Sequence, residues 1–149
     1  MDRFQQLLYD LGTLLELPLY AEQNQKCCLN INEALDVQLE YDTSKERVLI
    51  ASLCCEVPPG RFRENILKES LKANGIFPRI GTYGYVEQKN KLALFEYVSL
   101  QNLPSEKFAD ILAKFIDRIE RTKKAVDSGN LSLLLEVTSS YDKSAFEVL

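Results

Sequence analysis

The sequence predicts an α/β protein of the α+β type, with three helices and five strands in the order α-β-β-β-α-β-β-α. Three observations carry that prediction. Apolar residues recur at helical intervals in three separate stretches that begin near Phe4, Phe62 and Phe108. Strict alternation runs through Leu35, Val37, Leu39 and Tyr41, with Asp36, Gln38 and Glu40 between them, which is the period of a half-buried strand. Short polar turns divide the other apolar runs into pairs, as hairpins require. At 149 residues and 46% hydrophobic content the chain can close one core, whereas two independent domains would each fall near the size where a core becomes marginal. Residues 1–127 are expected to form that one domain, followed by a tail over 128–149.

Each element has its own signal. In the first helix Phe4, Leu7, Leu8, Leu11, Leu14 and Leu15 form one stripe, Asp2 can cap the first turn, and Pro18 marks a stop. A polar connector around residues 22–25 leads to a strand at 26–32 and then to the alternating strand. Asp42-Thr43-Ser44-Lys45 reads as the turn into an apolar strand over 48–55, which Pro58-Pro59-Gly60 ends. The second helix carries Phe62, Ile66, Leu67 and Leu71, a possible Glu64/Lys68 pair, and Asn74-Gly75 as its C-terminal cap. Gly81-Thr82-Tyr83-Gly84-Tyr85-Val86 and residues 92–100 flank a polar turn and read as paired strands. Pro104 opens the longest helix, with Phe108, Ile111, Leu112, Phe115, Ile119 and Val126 on its apolar side and the pairs Asp110/Lys114 and Asp117/Arg121 at four-residue spacing. Beyond residue 129 the pattern loosens around Leu131 and residues 133–135. That tail has three readings: a mobile end, a segment that completes the core beside the third helix, or an apolar stretch from Leu131 to Val137 that lies in a binding groove of its own or a neighbouring copy until a partner displaces it.

Composition removes several functions. The chain has no histidine, hence neither the commonest general base nor the commonest transition-metal ligand. The net charge is −4, and residues 1–60 hold ten acidic and four basic side chains, so no concentrated basic surface awaits a nucleic acid or an anionic membrane. No apolar run is long enough to span a bilayer, and residues 1–4 lead straight into an amphipathic pattern instead of a signal-peptide core. A cytoplasmic protein without membrane insertion is expected. Cys27, Cys28, Cys54 and Cys55 form two adjacent pairs, not the C-x-x-C spacing that lets two sulfurs converge, and read as reduced, largely packed thiols. Gly81-Thr82-Tyr83-Gly84 lacks the spacing of a phosphate loop and fits a twist or bulge at a strand start. Arg61, Arg63 and Arg79 are too scattered to define an anion site. No enzyme and no cofactor or metal is expected.

Residues 4–15 (FQQLLYDLGTLL) followed by Pro18-Leu19, residues 67–75 (LKESLKANG), Gly81-Thr82-Tyr83-Gly84, the strand over 91–100 and the helix from Pro104 together resemble the class I type III secretion chaperones of the Tir-chaperone-like family. The resemblance covers roughly residues 1–127. It departs in the tail after Gly129 and in the missing aromatic finish of the last helix. The resemblance implies a secretion-chaperone-like fold, a twisted antiparallel sheet of about five strands with three helices. It also implies a bacterial cytoplasmic homodimer, or a heterodimer with a second small chaperone, that binds the N-terminal segment of a secreted effector or gatekeeper-type protein in extended form, without nucleotide.

Carried over by position, the effector-binding residues are Leu7, Leu11 and Leu14 of the first helix with Leu29, Ile31, Val37, Leu39 and Tyr41 of the early strands. The dimer residues are Phe62, Ile66, Leu67 and Leu71 of the second helix with Tyr83 and Tyr85. The same residues are those a single chain would bury in its own core. Two other functions use this sequence differently. A regulatory adaptor sequestering a transcription or secretion regulator would use the same surfaces with another partner, and a small enzyme would rest on carboxylates or one reactive thiol.

Overall fold

The computed structural model describes residues 2–16, 19, 25–31 and 33–135. Helix α1 (Arg3–Leu15) starts from a capping box, in which the Asp2 carboxylate accepts from the Gln5 backbone N–H at 2.7 Å and the Gln5 side chain accepts from the Asp2 N–H at 3.0 Å. It stops at Glu16, whose N–H makes a last helical bond to the Gly12 carbonyl and whose left-handed backbone (φ 56°) then turns the chain out of the helix. The helix therefore ends before Pro18, which lies outside the described residues, as do the connector at 20–24 and Asn32.

Three strands follow, β1 (Lys26–Ile31), β2 (Leu35–Asp42) and β3 (Arg47–Glu56), then α2 (Arg61–Asn74), β4 (Thr82–Val86), β5 (Lys91–Ser99) and α3 (Ser105–Ser128). The strands form one sheet in the order β1-β2-β3-β5-β4. β1 and β2 are antiparallel with Lys26 opposite Glu40 and Ile31 opposite Leu35; β2 and β3 are antiparallel with Gln38 opposite Ala51 and Asp42 opposite Arg47. This is the element order the sequence predicts. Asp42 builds the second hairpin turn, its carboxylate accepting from the Ser44 N–H and hydroxyl and from Arg47 Nε.

The chain divides into two compact units, residues 1–52 with 95–116, and 53–94 with 117–149. In the first, Phe4, Leu7, Leu8 and Leu11 of α1 are buried together with Cys27, Leu29, Val37, Leu39, Val48, Ile50, Phe108, Leu112 and Phe115. Each such side chain contributes about 1.5–3 kcal/mol relative to exposure. Arg3 ties the start of α1 to the loop after β5 by donating to the Leu100 and Leu103 carbonyls, and Ser105 donates to the Asp10 carboxylate at 2.7 Å.

In the second unit the core holds Cys54, Val57, Ile66, Ala73, Tyr83, Leu92, Leu94, Ile119, Ala125 and Val126. Gly81 precedes β4 at φ 75°, and a Cβ there would lie 2.9 Å from Leu94, so the strand starts where only glycine fits. Asn90, left-handed at φ 51°, closes the turn into β5 and donates its side-chain amide to the Val57 carbonyl at 2.9 Å. After α3, a 3-10 turn at Leu131–Leu134 packs against α2 and buries Leu134, whose carbonyl accepts from Arg118. Residues 136–149 of the tail lie outside the described residues.

Candidate protein-binding surfaces

The positions expected to face an effector fall into two groups. Leu7, Leu11, Leu29, Val37 and Leu39 are buried in the first unit, and Ile31 and Tyr41 are half-buried. Tyr41 is held by Phe4, whose ring stacks on it at 5.4 Å and 11°. The reason is periodicity. Residues 4, 7, 8 and 11 form the inward stripe of α1, and Leu14 and Leu15 continue that stripe one turn further, where they stand 48% and 41% exposed. Tyr9 is exposed on another side of the same helix. The solvent-facing apolar surface of α1 is thus Tyr9, Leu14 and Leu15, of which sequence reasoning singled out only Leu14.

A second exposed feature of this unit lies on β5. Leu92, Leu94 and Val98 point inward, so the intervening Phe95 and Tyr97 point out. The Arg47 guanidinium sits 3.9 Å from the Tyr97 ring centroid while its Nε pairs with Asp42 at 3.2 Å. The signal was in the sequence, where Ala93, Phe95 and Tyr97 make the set that alternates with Leu92, Leu94 and Val98 apolar as well.

In the second unit the expected dimer positions also divide. Ile66 and Tyr83 are buried, Phe62 and Leu67 are half-buried, and Leu71 and Tyr85 are exposed, Leu71 at 71%. Phe77 is exposed beneath the Arg79 guanidinium, which lies 4.5 Å from its ring. Arg63 is spent on the Val57 carbonyl. Tyr83 is fixed from its hydroxyl, which shares a 2.6 Å hydrogen bond with Thr122, and Thr122 donates in turn to the Arg118 carbonyl at 2.8 Å. Burial, eased by the nearby Arg118, keeps the Tyr83 phenol above its usual range. The same cause pushes the Cys54 thiol up to about 12 and the Cys55 thiol up to about 11. All four cysteines are thiols outside any disulfide; Cys27 and Cys54 are buried and Cys28 is exposed.

The two edges of the sheet differ. Tyr41 N–H donates to the Gln25 carbonyl, and with the β1–β2 register this makes Gln25, Cys27, Leu29 and Ile31 the residues whose backbone groups face β2. The backbone groups of Lys26, Cys28 and Asn30 therefore point away from the sheet. On β4, the Asn74 side chain takes both outward groups of Tyr83, accepting from its N–H at 2.8 Å and donating to its carbonyl at 3.0 Å. The sequence offered Asn74 as half of a helix cap. Gly75 instead closes α2 in right-handed backbone, leaving the Asn74 amide for the strand.

The profile of the Tir chaperone protein (CesT) family matches residues 6–123. The chain belongs to this family of chaperones. No curated protein matches it. Among solved structures, the chain is similar to one in the HopA1-SchA chaperone-effector complex, with 20% identity and a TM-score of 0.68 over 82% of this chain and 94% of the other. It is similar to a chain of the ExsC-ExsE complex at 21% identity and TM-score 0.66, covering 85% and 97%. It also resembles, at 13% identity and TM-score 0.60 over 78% and 96%, a chain of the Yersinia pestis type III secretion chaperone SycH in complex with a stable fragment of YscM2. At these identities the likeness speaks to fold, and the five-stranded antiparallel sheet with three helices is the fold the family uses. Among the described residues no helix is long and apolar enough to cross a membrane.

Proposed function

We propose that this chain is a cytoplasmic type III secretion chaperone of bacteria that binds the N-terminal segment of a secreted effector or secretion-apparatus protein in extended form, without nucleotide or catalysis. The observation that supports this most is family membership over residues 6–123, joined to a fold shared with chaperones solved together with protein partners. The surfaces fit the task. An extended segment gains main-chain hydrogen bonds along a sheet edge and sets alternate side chains into apolar positions, which gives affinity with tolerance for sequence.

Ordering such a segment costs about 2–5 kcal/mol of the gross interaction, so a large contact surface is needed. A homodimer supplies it, and the exposed Leu71 and Tyr85 with the half-buried Phe62 and Leu67 are the residues we assign to the dimer contact. The client contact is assigned to Tyr9, Leu14 and Leu15 of α1 with Ile31 and Tyr41, while the buried Leu7, Leu11, Leu29, Val37 and Leu39 hold those residues in place. The function is assigned to residues 1–127.

Affinity capture from a bacterium with an active secretion system tests the proposal. The expected result is an exported protein, retained through its N-terminal region and lost when that region is deleted. Capture that survives the deletion, or recovery of a transcription regulator in its place, would favour the regulatory adaptor.

A further inference from the structure

We propose that Asn74 is a specificity-determining residue that closes the β4 edge of the sheet, so that an extended segment can add to the sheet only at β1. The geometry is direct. In a strand the N–H and C=O of one residue point to the same side, and an edge strand presents such pairs to any chain that can supply a matching acceptor and donor. A primary amide carries both groups in one plane, as a peptide bond does. Asn74 uses its oxygen for the Tyr83 N–H at 2.8 Å and its nitrogen for the Tyr83 carbonyl at 3.0 Å, occupying the place of a neighbouring strand's peptide.

β4 is only five residues long, Thr82–Val86, so its outward positions within the strand are Tyr83 and Tyr85. With Tyr83 taken, one remains, and a single residue pair does not hold a strand. Displacing Asn74 is resisted further by Tyr83 itself, whose ring is buried and whose hydroxyl is bonded to Thr122. β1 carries no such device among the described contacts; Cys28 and Asn30, two of its three outward residues, are exposed. A consequence is that any dimer made near Tyr83 and Tyr85 joins through side chains and not by continuing the sheet. A second consequence, one receiving edge per protomer for a client, rests on the proposed chaperone function; the closure itself does not.

The experiment therefore uses the full chain alone, with a fluorescent peptide of this chain's own residues 81–86 as the strand probe. The intact chain is expected not to bind the peptide. Asn74→Ala is expected to bind it and to form species larger than the intact chain forms, with mass rising with concentration in light scattering. Asn74→Asp, which keeps the acceptor for the Tyr83 N–H and adds a charge at the edge, is expected to behave as the intact chain. A folded Asn74→Ala with unchanged mass and no peptide binding overturns the proposal. Amide exchange in the unmodified chain decides the matter if that variant does not fold. The Tyr83 N–H is expected to exchange roughly fivefold to tenfold more slowly than that of Tyr85, the worth of one net hydrogen bond. Equal exchange at the two positions overturns the closure.

Discussion

Replacing Gly81 by alanine separates two physical effects that the structure makes distinct. The added Cβ would lie 2.9 Å from both Cγ and Cδ1 of Leu94 and 3.3 Å from Cδ2, against the 3.5–4.0 Å at which carbon atoms attract. Leu94 is fully buried on β5, so it cannot swing into solvent to make room. Overpacking of this kind costs about 1–3 kcal/mol. Gly81 also has φ 75°, a left-handed backbone that costs an alanine about 1–2 kcal/mol. Gly129, which follows α3, has the same φ of 75° with nothing within 4 Å of an added Cβ.

Gly129→Ala therefore reports the backbone cost alone, and the difference between the two variants isolates the overlap with Leu94. The expected difference is about 1–3 kcal/mol, or roughly 2–12 °C in Tm for a chain of this size. Urea and thermal unfolding followed by circular dichroism measure it, provided both variants unfold in one transition. Adding Leu94→Ala to Gly81→Ala should cost less than the sum of the single changes, because the methyl group enters the space that Leu94 vacates. Equal destabilisation by Gly81→Ala and Gly129→Ala would refute the reasoning.

Thr122→Val removes the 2.6 Å partner of the buried Tyr83 hydroxyl, which keeps Arg118 beside it, and should cost about 0.5–1.5 kcal/mol in urea unfolding; an unchanged stability contradicts the role of that bond. The Cys54 thiol, raised by burial to about 12, contributes stability that is intact below the unfolded-state range near pH 8.5 and is lost as pH rises toward 12, because the unfolded chain ionises first. Unfolding free energy should fall by about 1.4 kcal/mol per pH unit through this one group above roughly pH 9, and Cys54→Ala should flatten the slope by that amount; an unchanged slope contradicts the assignment. A thiol reagent at pH 8 should label the exposed Cys28 well before Cys54. On the proposed dimer contact, Leu71→Glu should give the native mass of one chain while leaving the Tm within a few degrees, since Leu71 is 71% exposed within the protomer; a variant with the mass of two chains would remove Leu71 from the contact.

The order of elements was legible because periodicity and turn chemistry agree along the chain. The alternation from Leu35 to Tyr41, the Asp42 turn, the Asp2 cap and the glycine at 81 each appear where the sequence placed them. The surfaces were less legible. An apolar residue reads the same whether it faces its own core or a partner, which is why Leu7, Leu29 and Leu39 were drawn into the same set as Leu14. Only the depth of the first unit shows that the stripe of α1 is consumed as far as Leu11 and free at Leu14 and Leu15. Asn74 was out of reach for a different reason. Its position at the end of a helix suggested a local cap, and its partner Tyr83 lies nine residues on, in a strand whose edge exists only once the sheet is assembled. Glu16 likewise ends α1 through a left-handed backbone that its residue type does not announce.

The central claim, a dimeric chaperone holding the N-terminal part of an exported protein, is tested most directly by native mass spectrometry of the chain purified from a secreting bacterium, with limited proteolysis of the complex. The account predicts two copies of this chain with a protected N-terminal fragment of a secreted protein. A single chain with nothing bound, or a partner protected outside its N-terminal region, would contradict it.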